Sequence, residues 1–214
     1  LGQKDLFKGL TIEKLEEAEK EKRAIWQEYP VFYLDFNVGK YSDIEALNEN
    51  LNLFLREKEV EYNLEPEKMS YAKRFSALLK RAYEKTGKQV TVLIDEYDKP
   101  LLQTMGVNEE LNEEYRAVLK AFYSVLKSAD RYIRFAFLTG VTKFSKISIF
   151  SDLNNLRDLS LIADYSAICG ISQEELEANF EPEIISLAER NKMSYDEALA
   201  ALKQKYDGYK FSEN

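Results

Sequence analysis

Histidine is absent from the 214-residue chain, and cysteine occurs once, at Cys169. The absence of histidine excludes Ser-His-Asp triads, Cys-His pairs and every histidine-ligated zinc or iron site. A single cysteine excludes an intrachain disulfide and a thiolate zinc cluster, and it is typical of a reducing cytosol. Cys169 lies in an apolar segment, so we expect a buried and unreactive thiol. Catalysis would therefore depend on carboxylates, hydroxyls, lysines, arginines, backbone amides or an oxygen-bound metal.

The sequence also has few loop-forming residues and no long apolar run. Eight glycines and four prolines leave little room for long loops and favour regular secondary structure. No run approaches the length of about 18 apolar residues that a transmembrane helix needs, and no signal sequence precedes the charged first residues. We therefore expect a cytoplasmic protein without a membrane partner. Because the sequence does not begin with methionine, we also expect an excised piece of a longer protein.

Positive charge is in the minority, with 30 lysines and arginines against 38 aspartates and glutamates, for a net charge of −8. An acidic chain repels phosphate backbones, so the net charge does not support nucleic acid as a partner. A local basic strip remains conceivable, with Arg131, Arg134, Lys143 and Lys146 as its candidates. A protein partner or self-association also stays open.

Hydrophobic periodicity predicts an α/β fold, with a parallel sheet whose strands are joined by helical crossovers. The predicted strands cover about residues 31–36, 89–94 and 132–139. The predicted helices cover about residues 11–27, a segment opened by Ser42 and Glu45 as a capping box, residues 70–86 with Gly87 as the C-terminal cap, and residues 109–127. Residues 1–150 would form this core. Residues 151–214 would form a helical appendage or lid, with caps at Ser172 and Ser194.

Polar residues follow all three predicted strands, at the ends where open parallel sheets bind ligands. They are Asp35 with Asn37, the cluster Asp95-Glu96-Tyr97-Asp98, and Thr139 with Thr142. Neighbouring residues on a strand face opposite ways, so Asp95 could hold Mg²⁺ while Glu96 polarises an attacking water. The alternative is that these acidic residues simply end a hydrophobic strand in solvent.

The other polar residues near these strand ends have two interpretations each. Asp98 could be a further metal ligand, but capping or neutralising the turn before Pro100 is the favoured interpretation. Thr139 would lie beside the Asp95 strand, where a hydroxyl can sense a terminal phosphate or merely close the strand. Lys143 and Lys146 would contact phosphate or lie in a solvated loop.

Several segments, in order, resemble a known family. Residues 92–101 (VLIDEYDKPL) look like the Walker B segment of the predicted AAA-ATPase-like family of bacterial proteins, which is similar to archaeal-type P-loop ATPases. Residues 138–151 with 153–156 resemble its sensor region, and residues 206–211 resemble its closing segment. The likeness begins at residue 7 and extends over essentially the whole chain.

The resemblance implies a P-loop NTPase-like core, with ATP and Mg²⁺ as cofactors of an ATPase. Asp95 would assist Mg²⁺ and Lys143 would contact the nucleotide. Glu96 would be the catalytic carboxylate and Thr139 the sensor hydroxyl, with Thr142 as the substitute candidate. Arg157 is a candidate for an arginine finger, but we do not assign it that role, because the family usually has an acidic residue at that position.

One departure from the family is large: the sequence contains no GxxxxGK[ST] phosphate loop. In the family, this loop and its central strand would lie before Leu1, and the loop supplies most of the phosphate contacts. Losing three charge-assisted bonds would cost on the order of 5 kcal/mol, or more than about a thousandfold in affinity. We therefore expect weak or absent ATP binding by this chain, which would be nearly inactive alone.

Two alternatives stay open beside the ATPase fragment. The first is a Mg²⁺-dependent phosphoesterase or nuclease that uses Asp35, Asp95, Glu96 and Asp98 at neighbouring strand ends. The second is a non-catalytic interaction module, in which the acidic helices and the 27 aromatic residues serve a partner surface. Most of the aromatic residues are spaced like core residues, so the fold explains them first.

Overall fold

A computed structural model of the chain describes residues 3–65, 68–141, 148–150, 153–168 and 170–206. The chain divides into two compact units, Leu1–Asn155 and Leu156–Asn214. In the ranges just given, no helix is both long enough and apolar enough to cross a membrane.

The first unit is built on a parallel sheet with the strand order β1-β2-β3. Its strands are β1 (Val31–Asp35), β2 (Val90–Asp95) and β3 (Ile133–Leu138). The pairing of β1 with β2 ends with Asp35 opposite Asp95. The pairing of β2 with β3 shifts register between Val90 and Thr91 and ends with Ile94 opposite Leu138. Because helices connect these parallel strands, the predicted α/β fold with helical crossovers is confirmed.

Helices precede the sheet and connect its strands. They are α1 (Thr11–Glu19), α2 (Ile44–Tyr62), α3 (Tyr71–Thr86), α4 (Lys99–Thr104), α5 (Glu109–Tyr123) and α6 (Val125–Ser128). Short 3₁₀ turns occur at Lys4–Phe7, Asp130–Tyr132 and Ser148–Phe150. The long helices α2, α3 and α5 contact one another, and α3 also contacts β2.

One face of the sheet is buried under aromatic side chains of these helices. Phe32 of β1 is fully buried. Its ring lies 6.3 Å from that of Phe54 in α2 and 6.5 Å from that of Phe75 in α3. Phe75 in turn stacks on Phe122 of α5, with ring centroids 4.7 Å apart. Aromatic pairs of this kind add stability beyond the area they bury, so they fix how the helices cover the sheet.

The opposite face of the sheet is largely uncovered. Tyr33 and Phe135 are each 52% exposed. Leu93 and Phe137 are only partly buried between them. Within the described residues, β3 has β2 as its neighbour on one side and no strand on the other. A solvent-exposed apolar face together with an unpaired strand edge is unusual in a folded protein.

The structure confirms the predicted start and end of α3 but not the predicted start of α2. The prediction for α3 is confirmed, with Ser70 accepting from the Lys73 amide and Gly87 as a left-handed C-cap. The prediction that Ser42 caps α2 is wrong, because Asp43 is the N-cap and accepts from Ala46 N at 2.9 Å. A carboxylate is the stronger acceptor at the positive end of a helix.

Two predicted helix ends also differ from the structure. The first helix is shorter because its residues are not buried, and the helix predicted over 109–127 is interrupted where a side chain competes for a backbone carbonyl. The first helix ends at Glu19 rather than near residue 27, and none of its residues is buried. Helices in proteins gain most of their stability from packing, so this charged segment has little to extend it. The helix predicted over 109–127 breaks at Ser124, whose hydroxyl donates to Ala121 O at 2.7 Å. Such a side-chain bond competes with the backbone ladder.

The second unit contains the helices α7 (Gln173–Asn191) and α8 (Tyr195–Tyr206). Ser172 and Glu175 form a capping box at the start of α7, as predicted. Ser194 and Glu197 exchange the same pair of bonds before α8, as predicted. The two helices pack through a small cluster of buried residues: Ile184, Ala188 and Ala198.

Candidate functional site

The carboxyl ends of the three strands lie side by side at one edge of the sheet. Asp35 is paired in register with Asp95, and Thr139 directly follows β3. The Thr139 amide donates to Ile94 O at 2.9 Å, so the hydrogen-bond ladder continues one residue beyond the strand. The predicted placement of Thr139 beside the Asp95 strand is confirmed.

Asp95 and Thr139 are joined through their side chains. The Thr139 hydroxyl donates a hydrogen bond to Oδ1 of Asp95. The same oxygen accepts from the backbone N–H of Glu96 at 3.0 Å. Both side chains are partly buried. Two donors therefore fix the Asp95 carboxylate, which a solvated residue at a strand end would not require.

Glu96 departs from the strand conformation in which it was predicted. Its φ of +53° lies in the left-handed region, so the strand alternation ends at Asp95. This conformation costs a non-glycine residue about 1 kcal/mol or more. The Glu96 carbonyl accepts from Lys99 N at 3.0 Å, which closes the turn into α4. The alternation of side chains along β2, on which the predicted separation of the two carboxylates rested, therefore does not extend to Glu96.

Tyr97 and Asp98 complete this turn and are both buried. The Tyr97 amide donates to Thr139 O at 3.0 Å. Asp98 occupies the N-cap position of α4, but its side chain makes no capping bond there. Its Oδ1 instead accepts from the backbone N–H of Val141 at 3.2 Å. The prediction that Asp98 caps the turn before Pro100 is therefore wrong.

The end of β1 adds a lysine that sequence reasoning did not select. Oδ1 of Asp35 accepts from the Asn37 amide at 2.6 Å. The Lys99 ammonium group donates to the Asn37 carbonyl at 3.2 Å and also to its side-chain amide oxygen. Lys99 thus places one positive charge at the strand ends. Its position directly after the acidic cluster is the signal that would have identified it.

Tyr33 is a second residue that the sequence analysis did not select. It lies on the uncovered face of the sheet, two residues before Asp35. Partial burial raises the pKa of its phenol, and the negative charges of Asp35 and Asp95 raise it further. The period-2 spacing from Tyr33 to Asp35 would have placed both on the same face. The phenol therefore stays protonated beside the two carboxylates.

Thr142 and Lys143 lie outside the described residues, as does Lys146. The sites that were predicted at these three positions therefore remain predictions. Asp35, Asp95, Glu96 and Thr139 all lie at the same edge of the sheet, within the residues that the structure describes.

The donor set at Asp95 fits one kind of metal ion. Among the described residues, no three acidic or thiol side chains are grouped to hold a metal. Mg²⁺ in nucleotide sites is commonly held by one or two carboxylates, with waters and phosphate oxygens as its other ligands. The oriented carboxylate of Asp95 fits that arrangement. The described residues do not offer the several grouped side chains that a site made of protein ligands alone would need.

Comparison with known proteins identifies a family for the chain. The model of a family described as predicted AAA-ATPase matches residues 1–150. The chain is 36% identical over 187 residues to a protein of Azotobacter chroococcum mcd 1 described as "Uncharacterized protein in vnfD 5'region"; the match covers 87% of this chain but 34% of that relative. No solved structure matches the chain. The predicted resemblance is confirmed, and the chain belongs to the predicted AAA-ATPase family.

Proposed function

We propose that this chain is part of an ATP-hydrolysing enzyme, in which it supplies acidic and hydroxyl residues of the active site. An upstream segment of the same protein would supply the phosphate loop. The observation that carries the proposal is the bonded pair Asp95 and Thr139 at the ends of adjacent parallel strands, with Glu96 directly after it. Membership of the predicted AAA-ATPase family supports the same activity.

Asp95 is the residue that would assist Mg²⁺. When bound, Mg²⁺ neutralises charge on the phosphates of ATP. The Thr139 hydroxyl and the Glu96 amide hold Oδ1 of Asp95 in place. The carboxylate therefore needs little reordering when a nucleotide arrives, which is the advantage of a preorganised site.

Glu96 and Thr139 would act on the attacking water and the terminal phosphate. In this proposal, Glu96 accepts a hydrogen bond from the water and draws its proton away. From its place beside Asp95, Thr139 would redirect its one hydroxyl proton to the terminal phosphate, because a hydroxyl can donate to only one of these two acceptors at a time. Thr142 is the substitute for this sensor role, and Lys143 would contact phosphate.

The uncovered side of the sheet supports an upstream segment. Within the described residues, β3 has one strand neighbour. Phe135 of β3 is 52% exposed on the uncovered face, and so is Tyr33 of β1. We infer that the strand of the phosphate loop pairs with the free edge of β3 and that its helix covers this face. The site would then be completed beside Thr139, at the same edge of the sheet.

This arrangement makes a clear prediction for the chain alone. Without a phosphate loop, it lacks the backbone amides, the lysine and the hydroxyl that normally bind the phosphates. Charge-assisted bonds contribute roughly 1.5–3 kcal/mol each, so the loss of three weakens ATP binding by more than about a thousandfold. The chain alone would therefore be nearly inactive.

The test is phosphate release from Mg²⁺-ATP by a protein that extends upstream through the phosphate loop. Glu96→Gln keeps the size of the side chain but removes the base, so turnover should fall by about a hundredfold or more. ATP binding should persist in this variant. Glu57→Gln, an exposed change of the same kind on α2, is the matched control and should leave turnover unchanged.

A longer protein that neither binds nor hydrolyses ATP would contradict the proposal. The interaction module would then be the better account, because the uncovered sheet face around Tyr33 and Phe135 offers an apolar partner surface.

A further inference from the structure

The position of Asp98 before α4 does not explain the hydrogen bonding of its side chain. An aspartate at an N-cap ordinarily accepts a hydrogen bond from a backbone amide of the first helical turn. Asp98 makes no such bond, although it is fully buried. Its carboxylate turns instead to the segment after β3, where it accepts from Val141 N at 3.2 Å. A buried carboxylate is costly unless it is hydrogen-bonded, so this contact has a structural purpose.

Gly140 makes the contact possible. A Cβ atom at this position would lie 2.6 Å from Oδ1 of Asp98 and 2.6 Å from a ring carbon of Tyr97. Real Cβ atoms do not approach other heavy atoms so closely. Only glycine therefore lets the chain after β3 lie against the Tyr97–Asp98 turn.

The Asp98 bond belongs to a series that ties two chain segments together. The Thr139 hydroxyl donates to Asp95, and the Tyr97 amide donates to the Thr139 carbonyl at 3.0 Å. The Val141 amide then donates to Asp98. These bonds run along both segments in the same direction, so the end of β3 is held at several consecutive residues.

We propose that Asp98 is a positioning residue: with Gly140, it holds the end of β3 so that the Thr139 hydroxyl stays against Asp95. This inference rests on the proposed function, because it assigns Asp98 a part in ATP hydrolysis. Asp98 itself does not contact the reacting atoms. It acts through Thr139 and so affects turnover more than the affinity for ATP.

The kinetic test compares Asp98→Ala, Asp98→Asn and Gly140→Ala in the protein that includes the phosphate loop. Asp98→Ala and Gly140→Ala should lower kcat by about ten- to hundredfold, the effect of misplacing a reacting group by an ångström or less. The KM for Mg²⁺-ATP should change by less than about threefold. Asp98→Asn should recover most of kcat, because the asparagine oxygen still accepts from Val141 N.

Asn108→Ala is the matched control for a purely structural effect. Asn108 caps α5, the next helix, through Leu111 N at 3.1 Å. Its loss should lower the melting temperature but leave kcat unchanged. An active wild-type protein whose kcat is unaffected by Gly140→Ala and Asp98→Ala would overturn the inference and leave the proposed function intact. If Asp98→Ala does not fold, Gly140→Ala decides the result.

Hydrogen exchange on the 214-residue chain separates the two proposals. The Val141 amide should exchange at least about tenfold faster in Asp98→Ala than in Asp98→Asn, because only alanine removes its acceptor. An inactive wild-type longer protein would overturn the proposed function and the kinetic role of Asp98 together. Unchanged exchange at Val141 would overturn the anchoring role itself, whatever the activity.

Discussion

At the scale of single residues, the site combines a strained backbone with a fixed carboxylate. Glu96 has a φ of +53° directly after β2, while Oδ1 of Asp95 receives two donors. Residues held in sparsely populated backbone regions cluster at active sites, where the surrounding structure holds them in place. The left-handed backbone of Glu96 therefore supports a functional role for this residue, and relieving its strain should raise the free energy of unfolding.

Glu96→Gly should stabilise the chain, because glycine adopts a left-handed backbone without a steric penalty. The expected gain in the free energy of unfolding is about 1 kcal/mol. Glu96→Gln keeps the strained backbone and is the matched control, with an expected change close to zero. Urea denaturation of both variants measures the difference. A Glu96→Gly variant no more stable than Glu96→Gln would show that the left-handed backbone is not strained.

The sequence predicted where these residues lie in the sheet better than it predicted their contacts. Asp95 and Thr139 follow strands that pair, so their proximity follows from the α/β pattern. The bond between Asp98 and Val141 did not follow, because Val141 lies 43 residues away while the capping interpretation used local signals alone. The left-handed backbone of Glu96 also had no signal, since no glycine or asparagine occurs there.

At the scale of secondary-structure elements, a buried ion pair joins α2 and α3. Arg74 donates to both oxygens of Glu59, at 2.7 and 2.9 Å, and to Oδ1 of Asn52 at 2.8 Å. Arg74 is 6% exposed and Glu59 is 2% exposed. Such a pair does not necessarily stabilise more than apolar residues would, but breaking it leaves one buried charge without its partner.

Glu59→Ala should therefore destabilise the chain by about 3–5 kcal/mol, because it leaves the Arg74 guanidinium buried without its carboxylate. The double variant Arg74→Met with Glu59→Leu removes both charges and should recover most of that loss. Urea denaturation of the single and double variants measures this difference. A double variant as unstable as Glu59→Ala would contradict the explanation.

Element boundaries were predictable where burial and caps agree. The start and end of α3 follow from Ser70 and Gly87, and its apolar face packs as its spacing indicates. The end of α1 was not predictable from its pattern, because none of its residues is buried and packing does not set its length. The uncovered face of the sheet was also missed, since periodicity indicates which residues are apolar but not what covers them.

At the scale of the whole molecule, buried tyrosines link stability to pH. Burial, together with the charges of nearby carboxylates, raises the pKa of Tyr62 and of Tyr115 to about 12. Tyrosine in an unfolded chain titrates near pH 10. Between these values the unfolded chain loses protons that the folded chain keeps, so the unfolded state becomes the more favourable one as pH rises.

The free energy of unfolding should therefore be unaffected by these groups below about pH 10 and should fall as the pH rises toward about 12. Tyr115→Phe removes one titrating group and should make this alkaline decline shallower. Urea denaturation at a series of alkaline pH values measures the slope for both proteins. An equally steep decline in Tyr115→Phe would contradict the role of this phenol.

The central claim is that this chain carries one part of an ATPase site and that the phosphate loop lies upstream. The most direct test is calorimetric titration of Mg²⁺-ATP into this chain and into a protein extended through that loop. We predict binding by the extended protein alone, with an affinity more than about a thousandfold above that of the chain. Equal affinities, or no binding by either protein, would contradict the account.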